Sequence, residues 1–510
     1  MSAEIELKLA VAAEDLPRLR RLPVLARGNL GSVQNRTLKS TYFDTPERSL
    51  AAAKITLRVR EDGRRRLHCV KVPVKSLAGL ATRREWEVES RGLVPDFSVF
   101  PVGTVDTVLD TRTLGPDRIE AVFETDFRRT LRRLPLGTGG EVEVAVDEGV
   151  IRAPGKGEIP ISELEFELKA GDPADLFALA LAVAEQVPAQ VVVVSKAERG
   201  ARLAAGRHAA PAKAGRLDVS PELSAGEAFG RIVQDCTSQW LANVEAVLDG
   251  RDVEGVHQMR VALRRLRSGF KLFRPIVGAQ PAKDLSDEVK WLASALGPAR
   301  DWDVFIGDVA GPVFEALGPD ARFDRVLMQA ESERAQGYAL ARRAIEDSRH
   351  CRLALSLGRF VAAREWVQDG DEAALHAPVA DFAAKTLSQH FKRVLKRGRH
   401  IMQLEAEALH ALRIEIKRLR YALEFFGGLF DAREVRKFLD GLAGLQDFLG
   451  ELNDMDVAHR LIVTLGRSDS GRAYAEGALS GFYGASLERK RKTLKSQWAE
   501  VLVQERFWKE

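Results

Sequence analysis

The sequence is poor in cysteine and has no long apolar run. Its 510 residues include 3 cysteines, and Cys69, Cys236 and Cys351 lie too far apart for the spacing of a metal site. Sparse cysteines of this kind fit reduced thiols in the cytosol. The longest apolar run, 176–183, is far too short to cross a bilayer, and no apolar signal core follows the charged residue Glu4. We therefore expect a cytoplasmic protein with no membrane partner.

An excess of charge of one sign is also lacking. The chain has 77 Lys and Arg against 73 Asp and Glu, so its formal net charge is only +4. No global field attracts a polyanion, and any anion site must come from local clustering of basic residues. With 45% hydrophobic and 29% charged residues, the chain has the composition of a globular protein with real cores. Its length predicts roughly two to four domains.

Two stretches alternate charged and apolar residues with the period of a β-strand. Residues 4–8 read EIELK, which puts Glu4, Glu6 and Lys8 on one face, and residues 163–169 read ELEFELK. One such stretch alone would fit a half-solvated edge strand. Two of them, at the ends of one region, predict neighbouring strands whose charged faces converge. Rows of carboxylates repel unless a cation lies between them, and oxygen-rich sites suit Mg²⁺ or Mn²⁺.

Short alternating segments fill most of the first 203 residues. Glycine and proline clusters separate these segments, which predicts many short antiparallel strands. Charges of both signs alternate with the apolar residues on several strands. This pattern fits either the wet face of a single sheet or the polar interior of a wide barrel. We favour the barrel, and so expect an α+β domain built on an antiparallel β-barrel.

The order of these motifs resembles the CYTH family, the triphosphate tunnel metalloenzymes. The resemblance implies an eight-stranded antiparallel tunnel that hydrolyses or cyclises triphosphates with a divalent metal ion. It extends over residues 1–203 and is carried by Glu4-x-Glu6-x-Lys8, Tyr42-Phe43-Asp44-Thr45, Leu57-Arg58-Val59-Arg60, Lys71, Arg83-Arg84-Glu85-x-Glu87, Phe127-Arg128-Arg129, Val146-Asp147-Glu148-Gly149, Glu163-x-Glu165-x-Glu167-x-Lys169 and Ser195-Lys196-Ala197-Glu198-Arg199-Gly200.

The residues in these motifs suit the chemistry of a triphosphate. Cleavage needs the phosphate charges neutralised and a water molecule aligned, and arginine and lysine bind phosphate oxygens well. Of Arg128 and Arg129, strand alternation lets only one face inward, and we select Arg129. The residues expected to act on the phosphates or the water are Lys8, Arg58, Arg60, Lys71, Arg129 and Lys196. Those expected to hold Mg²⁺ or Mn²⁺ are Glu4, Glu6, Asp147, Glu163, Glu165 and Glu167.

The second region is helical and contains a repeat. Residues 204–222 are rich in Ala, Gly and Pro and carry no period, which predicts a linker. Beyond it, the motif at 256–267 recurs at 409–420, and the motif at 296–304 recurs at 449–457, both at an offset of 153 residues. A constant offset indicates duplication. We expect a tunnel domain at 1–203 and an all-α domain at 223–510, made of two four-helix bundles at about 223–370 and 371–510.

Basic residues form stripes along one face of the repeated helices. Such a stripe costs helix stability unless an anion or carboxylates face it, although solvated faces are the simpler alternative. The stripes resemble those of the CHAD family, named for its histidines on helices, and the whole chain resembles the CYTH–CHAD inorganic triphosphatases. The CHAD resemblance implies polyphosphate binding. The residues expected to bind it are His257, Arg260, Arg264, Arg267, Lys271, His390, Arg393, Arg397, His410, Arg413, Lys417 and Arg420.

Other hypotheses compete with a tripolyphosphatase that also binds polyphosphate. The histidines could chelate a metal, but each lies among cations that raise the cost of binding one. Nucleic acid could follow the basic stripes, but exposed aromatic residues for base stacking are lacking there. The tunnel could also bind polyphosphate without turnover, or act as an adenylate cyclase, although no nucleoside pocket is evident. We therefore expect tripolyphosphate and inorganic polyphosphate as partners, no nucleic acid, and association with polyphosphate granules in the cytoplasm.

Overall fold

The computed structural model describes residues 4–26, 28–77, 79–109, 118–137, 139–215, 217–465 and 470–508, without the side chains of 75–77, 279, 470 and 486–492. The chain divides into two compact units. The barrel unit comprises Met1–Ala212, Thr237–Asp252 and Ile345–Glu365, and the helical unit comprises Lys213–Cys236, Val253–Ala344 and Trp366–Glu510. Within the described ranges, no helix is both long and apolar enough for a bilayer span.

The described part of the barrel unit contains nine strands. They are β1 (Glu4–Val11), β2 (Gln34–Asp44), β3 (Thr56–Asp62), β4 (Arg65–Leu77), β5 (Leu80–Glu89), β6 (Glu120–Pro135), β7 (Glu141–Ala153), β8 (Gly157–Ala170) and β9 (Ala189–Val191). The first eight form an antiparallel sheet in the order β5-β4-β3-β2-β6-β7-β8-β1, and pairing of β1 with β5 closes it. The predicted eight-stranded barrel is therefore confirmed. The short strand β9 pairs with the other end of β1.

Eighteen α-helices are described along the chain. They are α1 (Leu16–Leu19), α2 (Pro23–Ala26), α3 (Ser49–Ala52), α4 (Pro173–Ala184), α5 (Lys196–Ala205), α6 (Ala225–Ala242), α7 (Val244–Asp249), α8 (Val253–Phe273), α9 (Ala279–Ala295), α10 (Gly297–Val304), α11 (Gly311–Leu317), α12 (Ala321–Glu346), α13 (Ser348–Ala362), α14 (Glu372–His376), α15 (Val379–Arg397), α16 (Ala406–Phe426), α17 (Ala432–Thr464) and α18 (Ser470–Leu502). A π-helical segment, Phe305–Ala310, joins α10 to α11. The predicted helix-rich second region is confirmed.

The paired strands β1 and β8 turn charged side chains toward the barrel interior and apolar side chains to the opposite face. Leu7 and Leu9 of β1 and Phe166 of β8 are fully buried, and they alternate with the charged residues of the two motifs. Helix α4 packs on β8, and α13 packs on both α4 and β9. A glycine allows this close approach, because a Cβ on Gly358 would lie 2.1 Å from the Phe177 ring. A helix far along the sequence thus completes the core of the barrel unit.

A buried histidine joins the later segments of the barrel unit to its sheet. The Nε2 atom of His350 accepts a hydrogen bond from Trp240 at 3.2 Å, and its Nδ1 atom lies 3.0 Å from Oε1 of Gln190. Burial lowers the pKa of His350 to about 4, so the ring is neutral at physiological pH. Its role is to satisfy polar groups in the core of the unit.

The helical unit shows the duplication in its helix boundaries. Helices α8 and α16 each have 21 residues and begin at Val253 and Ala406, and α9 and α17 begin at Ala279 and Ala432. Both pairs keep the offset of the sequence repeat. The first repeat is interrupted between α9 and α10, where Pro298 begins a new helix, whereas α17 continues as one helix of 33 residues. Proline lacks the backbone N–H of a helix interior, which explains the break.

Candidate functional site

A polar cavity of about 1400 Å³ lies within the barrel unit. Charged side chains of both signs line it, because the inward positions of the alternating strands carry them. The lining cations include Lys8, Arg36, Arg58, Arg60, Lys71, Arg83, Arg129, Lys169, Lys196 and Arg202. The lining carboxylates include Glu4, Glu6, Glu85, Glu87, Glu143, Glu165 and Glu167.

Lys8 lies between the carboxylate rows of β1 and β8. Strand pairing sets Lys8 opposite Glu165 and Glu6 opposite Glu167. The Nζ atom of Lys8 lies 2.8 Å from Oε1 of Glu165 and 3.2 Å from Oε1 of Glu6, and Arg83 adds a guanidinium 2.5 Å from Glu6. Burial and the Glu165 charge raise the pKa of Glu6, but Lys8 and Arg83 outweigh them and hold that pKa below its usual value. The cations therefore keep Glu6 ionised although Glu165 lies close to it.

Asp147 and Glu163 lie behind the cavity wall and are almost fully buried. The Nζ atom of Lys196 lies 2.8 Å from Asp147 and 2.9 Å from Glu165, and it also pairs with Glu163. Arg129 binds both oxygens of Asp147 at 2.7 Å. Burial lowers the pKa of Lys196, but the three carboxylates outweigh it and hold that pKa above its usual value. This buried layer fixes the directions of Lys196 and Arg129, which do line the cavity.

Three arginines line the cavity, namely Arg58, Arg60 and Arg129. Burial, then the charges of Arg58 and Arg129, hold the pKa of Arg60 below its usual value. The Nε atom of Arg60 lies 3.4 Å from Oγ of Ser40, and no carboxylate in the described ranges forms an ion pair with Arg60. Burial raises the pKa of Tyr42, but Arg58 and Arg60 bring it below its usual value. The cluster therefore carries positive charge that suits a bound anion.

Lys71 forms a second cluster of ion pairs in the cavity lining. Its Nζ atom lies 2.8 Å from Glu4 and 2.9 Å from Glu85. Burial raises the pKa of Glu85, but Lys71 and Arg58 outweigh burial and bring it to about 2. The Sγ atom of Cys69 donates to Glu85 at 3.0 Å, and burial raises the pKa of this thiol to about 12. Cys69 therefore remains a protonated donor.

A second cavity, of about 690 Å³, lies in the helical unit and has a basic lining. We call it the basic cleft. Arg264 and Lys271 of α8 face it from the first repeat, and Lys417 and Arg418 of α16 face it from the second. The repeated helices thus bring cations of both repeats to one place, although of the predicted stripe on α16 Lys417 lines the cleft and His410, Arg413 and Arg420 do not. The other charged or aromatic lining residues are Arg267, Phe270, Arg274, Lys283, Asp287, His390 and Tyr421.

Cations beside the basic cleft repel one another. Burial, then the charges of Arg413 and Arg264, lower the pKa of Lys417 to about 7, although Asp454 opposes the shift. Burial and Arg264 also hold the pKa of Arg413 below its usual value, again against Asp454. Arg264 donates to the hydroxyl of Tyr421 on α16, which ties the two repeated helices together. The cluster has fewer counter-ions than the barrel cavity, so a polyanion would relieve it.

Two histidines near these stripes, His257 and His390, have a lowered pKa. Burial, then the charge of Arg393, lower the pKa of His390 to about 4, and its Nδ1 atom lies 3.8 Å from Glu415. Burial, then the charge of Arg300, hold the pKa of His257 below its usual value. These two rings therefore offer hydrogen bonds rather than positive charge.

Two family matches cover most of the chain. Residues 2–201 match the CYTH domain, and residues 231–463 match the CHAD domain. The chain carries a CYTH domain followed by a CHAD domain.

Individual relatives agree with this assignment. An inorganic triphosphatase of Haemophilus influenzae is 33% identical over 214 residues, which is 39% of this chain and 54% of that protein, so the match spans about half of the relative. An uncharacterised protein of Mycobacterium tuberculosis is 28% identical over 458 residues, 84% of this chain and 82% of its own. The crystal structure of the CHAD domain from the plant Ricinus communis is 32% identical, covers 58% of this chain and 98% of its own, and superposes with a TM-score of 0.51.

The cavity of the CYTH domain gathers most of the predicted site residues. All six residues expected to act on phosphates or water line it, and so do Glu4, Glu6, Glu165 and Glu167. Asp147 and Glu163 lie behind the wall instead. Arg129 faces the cavity, whereas its neighbour Arg128 is exposed on the outer surface.

The predicted residues of the CHAD domain are more dispersed. Five of them line the basic cleft: Arg264, Arg267, Lys271, His390 and Lys417. Arg260 donates to the carbonyl of Ala293 at 2.9 Å, and Arg420 pairs with Glu424 at 2.9 Å. Arg397 lies 3.8 Å from Glu415. The remaining predicted residues, His257, Arg393, His410 and Arg413, also lie outside the lining of the cleft.

Several residues of the CYTH cavity were not assigned roles from the sequence. Arg83 and Glu85 belong to a motif that the family resemblance includes, so their strand alternation could have identified them. Tyr42 likewise belongs to a motif. Arg202 lies on α5, where only helix packing brings it to the barrel. Arg199, which is also on α5 and belongs to a motif of the resemblance, lies outside the cavity lining and 2.5 Å from Glu163.

The acidic residues of the CYTH domain include groups close enough to share a metal ion. Oxygen atoms of Asp147, Glu163 and Glu165 lie within 4.8 Å of one another, and the same holds for donor atoms of Cys69, Glu85 and Glu87. The first group offers only carboxylates, which suit a hard divalent cation. Lys196 and Arg129 already neutralise Asp147.

Proposed function

We propose that the CYTH domain hydrolyses inorganic triphosphate with the help of a divalent metal ion. The observation that carries the proposal is the cavity itself, in which a cluster of arginines and rows of carboxylates line one common space. A triphosphate is a short chain of dense negative charge, and its cleavage depends mainly on positioning and on charge neutralisation. The similarity to an inorganic triphosphatase supports the same substrate class.

The arginine cluster would bind the phosphate chain. Arg58, Arg60 and Arg129 offer planar pairs of N–H donors, which match phosphate oxygens. Arg60 is the best candidate for a direct contact, because no described carboxylate pairs with it and its charge is opposed by its neighbours. Lys71 and Lys196 would add point charges at the cavity wall, each held in place by carboxylates.

The carboxylates that line the cavity fit a hard divalent cation. Glu4, Glu6, Glu165 and Glu167 present oxygen donors on the paired strands β1 and β8, and we assign the metal to them. Mg²⁺ or Mn²⁺ bound there would neutralise phosphate charge and activate water. Asp147 and Glu163 are buried behind this surface, so we assign them the orientation of Lys196, Arg129 and Arg199.

Lys8 is placed to orient the attacking water. Its ammonium group lies between Glu6 and Glu165 and has three donors, two of which these carboxylates use. The third can hold a water molecule in the cavity. Glu6 and Glu165 are ionised, so they can accept hydrogen bonds from that water, and the phosphorus atom held by the arginines would be its target.

A pair of adjacent arginines tests this assignment. Arg129→Gln should lower the rate of phosphate release from tripolyphosphate by roughly 10²–10³-fold, the cost of losing one charge-stabilising donor. Arg128→Gln removes the same group from the exposed surface and should keep the wild-type rate. Assays with Mg²⁺, with Mn²⁺ and with EDTA establish the metal requirement. Equal rates in the two variants would contradict the assignment.

The choice of substrate separates the competing activities. Incubation with tripolyphosphate and with ATP, followed by separation of phosphate from cyclic AMP, distinguishes hydrolysis from cyclisation. Phosphate from tripolyphosphate supports the triphosphatase. Cyclic AMP from ATP would identify a cyclase, and tight binding of tripolyphosphate with no product would identify a binding protein.

We further propose that the basic cleft of the CHAD domain binds inorganic polyphosphate. The supporting observation is that α8 and α16, the equivalent helices of the two repeats, both direct cations into this cleft. A linear polyanion rewards many such contacts, and its affinity should fall steeply with salt as counterions are released, by analogy with DNA. A salt series of polyphosphate affinities tests this, and an affinity independent of salt would contradict it.

A further inference from the structure

Later parts of the chain form one wall of the barrel cavity. Besides the strands, its lining includes Ala209, Ala210 and Ala212 of the segment after α5, and Ser238, Ala242 and Glu245 around the junction of α6 and α7. All six belong to the barrel unit. We call this set the helical wall. An eight-stranded barrel by itself would have no such wall, so the CYTH strands alone do not define the shape of the cavity.

A buried amide fixes the helical wall. Asn243 is fully buried, and its Nδ2 atom donates to the carbonyl of Ala212 at 2.8 Å and to that of Gln239 at 2.8 Å. Its Oδ1 atom accepts from the backbone N–H of Ala212 at 2.9 Å. The amide therefore satisfies both backbone groups of Ala212, which holds the segment after α5 against the end of α6. Buried hydrogen bonds therefore hold the helical wall in place.

Arg202 faces the cavity from α5 and forms an ion pair with Glu245 of the helical wall. Lys196 faces the same cavity from the start of α5, six residues earlier, which is about 9 Å along a helix axis. The two cations differ in their surroundings. Lys196 is buried among three carboxylates, whereas Arg202 and Glu245 have side chains that are 28% and 35% exposed. Arg202 is thus held by one partner that solvent can reach.

We propose that Glu245 restricts the length of the phosphate chain that the cavity accepts. A chain that begins at Lys196 and extends along α5 would bring a later phosphate to Arg202. There it must displace Glu245 and remain close to that carboxylate, and like charges at close range repel. Short chains avoid this encounter. The inference deepens the proposed triphosphatase function and rests on it: Glu245 makes the site selective for tripolyphosphate over longer linear polyphosphates.

Neutralising Glu245 should shift this selectivity. We expect Glu245→Gln to raise the ratio of kcat/KM for tetrapolyphosphate to kcat/KM for tripolyphosphate by about two- to fivefold, the range for a partly exposed ion pair. Asp249→Asn is the matched control, because Asp249 is on the same helix, α7, and does not line the cavity. It should keep the wild-type ratio. The basic cleft is the same in both variants, so binding of either substrate there cancels in the comparison.

The double variant Arg202→Gln with Glu245→Gln tests whether Arg202 causes the shift in selectivity. If Arg202 binds the additional phosphate, the double variant should lose the gain of Glu245→Gln. A retained gain, or an unchanged ratio in Glu245→Gln, would overturn the inference while leaving the triphosphatase intact. If the wild type hydrolyses neither substrate, the proposed activity fails. Calorimetry in EDTA then measures the affinities of the same variants for tripolyphosphate and tetrapolyphosphate. These affinities decide the role of Glu245.

Discussion

In the barrel unit the cavity lysines Lys71 and Lys196 lie among carboxylates, whereas in the helical unit the half-buried Lys417 lies among other cations. Burial opposes the charge of all of them. Carboxylates nevertheless hold the pKa of Lys71 and of Lys196 above the usual value. Next to the basic cleft, burial and the charges of Arg413 and Arg264 instead lower the pKa of Lys417 to about 7. Both regions collect positive charge, but the barrel pairs these lysines with carboxylates, whereas Asp454 offsets only part of the repulsion at Lys417.

This difference assigns different roles to the two collections of charge. The ion pairs of the barrel fix each side chain before a substrate arrives, which is the condition for a site that stabilises a transition state. The cleft keeps cations together at a cost in stability that a bound polyanion would repay. We therefore expect changes in the barrel to affect folding and activity together, and changes in the cleft to affect binding more than folding.

Removing one lysine from each region, the buried Lys196 and the half-buried Lys417, is the most direct way to test the contrast. Lys196→Met removes the cation shared by the buried carboxylates Asp147 and Glu163 and leaves each with one arginine, which should cost about 3–5 kcal/mol of unfolding free energy. Lys417→Met removes a charge that its neighbours oppose, so stability should stay the same or rise. Calorimetric unfolding of each variant gives the comparison. A similar loss of stability in both variants would remove the distinction between the regions.

Loss of cations from the basic cleft should affect polyphosphate binding more strongly than stability. Arg264→Gln with Lys417→Gln removes one cation from each repeat, and we expect a loss of roughly 2 kcal/mol in polyphosphate affinity with a flatter salt dependence. Arg436→Gln with Lys437→Gln is the matched control, because these cations of α17 are exposed and do not line the cleft. Titration calorimetry at several salt concentrations provides the measurement. An equal loss in the control pair would mean that the cleft is not the binding site.

A glycine pair tests whether α13 stabilises the barrel unit. Gly358→Ala would place a Cβ 2.1 Å from the Phe177 ring, and we expect a loss of about 1–3 kcal/mol from this overpacking. Gly450→Ala in α17 has no heavy atom within 4 Å of the added Cβ and should stabilise the helix by about 0.5–1 kcal/mol. Thermal unfolding of both variants measures the two effects. A tolerated Gly358→Ala would show that α13 packs less tightly on α4.

The smallest expected effect is on the pH dependence of polyphosphate binding. The pKa of Lys417 is lowered to about 7, so free Lys417 loses its proton as the pH rises through neutrality, and a bound polyanion would restore it. Affinity should therefore be higher at about pH 6 than at about pH 8.5, by severalfold, with proton uptake on binding. Lys417→Arg keeps the charge and should remove this part of the pH dependence. The same dependence in that variant would assign the titration to another group.

The same shift has a consequence for stability. The folded state lowers the pKa of Lys417 below its unfolded value, so the unfolded chain binds more protons between these two values. Stability of the helical unit should thus rise as the pH increases from about 7 toward about 10. The pKa of the barrel carboxylate Glu85 is also lowered, so stability again rises with pH, here between its folded pKa of about 2 and its higher unfolded value.

Local periodicity was enough to predict the main architecture. Alternation along 4–8 and 163–169 identified two strands with convergent charged faces, and the structure pairs them directly, with Lys8 opposite Glu165. The constant offset of 153 residues identified the duplication that appears in the starts of α8 and α16. These features follow from the sequence because strand and helix periods fix which side chains share a face.

Tertiary packing decided which of those side chains reach each cavity. Glu163 and Glu165 share a face of β8, but α5 packs over that end of the barrel and leaves Glu163 behind the wall, paired with Lys196 and Arg199. Packing likewise brought Glu245 to Arg202 and placed α13 in the barrel unit. The periodicity of a sequence shows only which side chains of one strand or helix share a face. Which element covers that face depends on contacts between residues far apart in the sequence, and no local pattern records them.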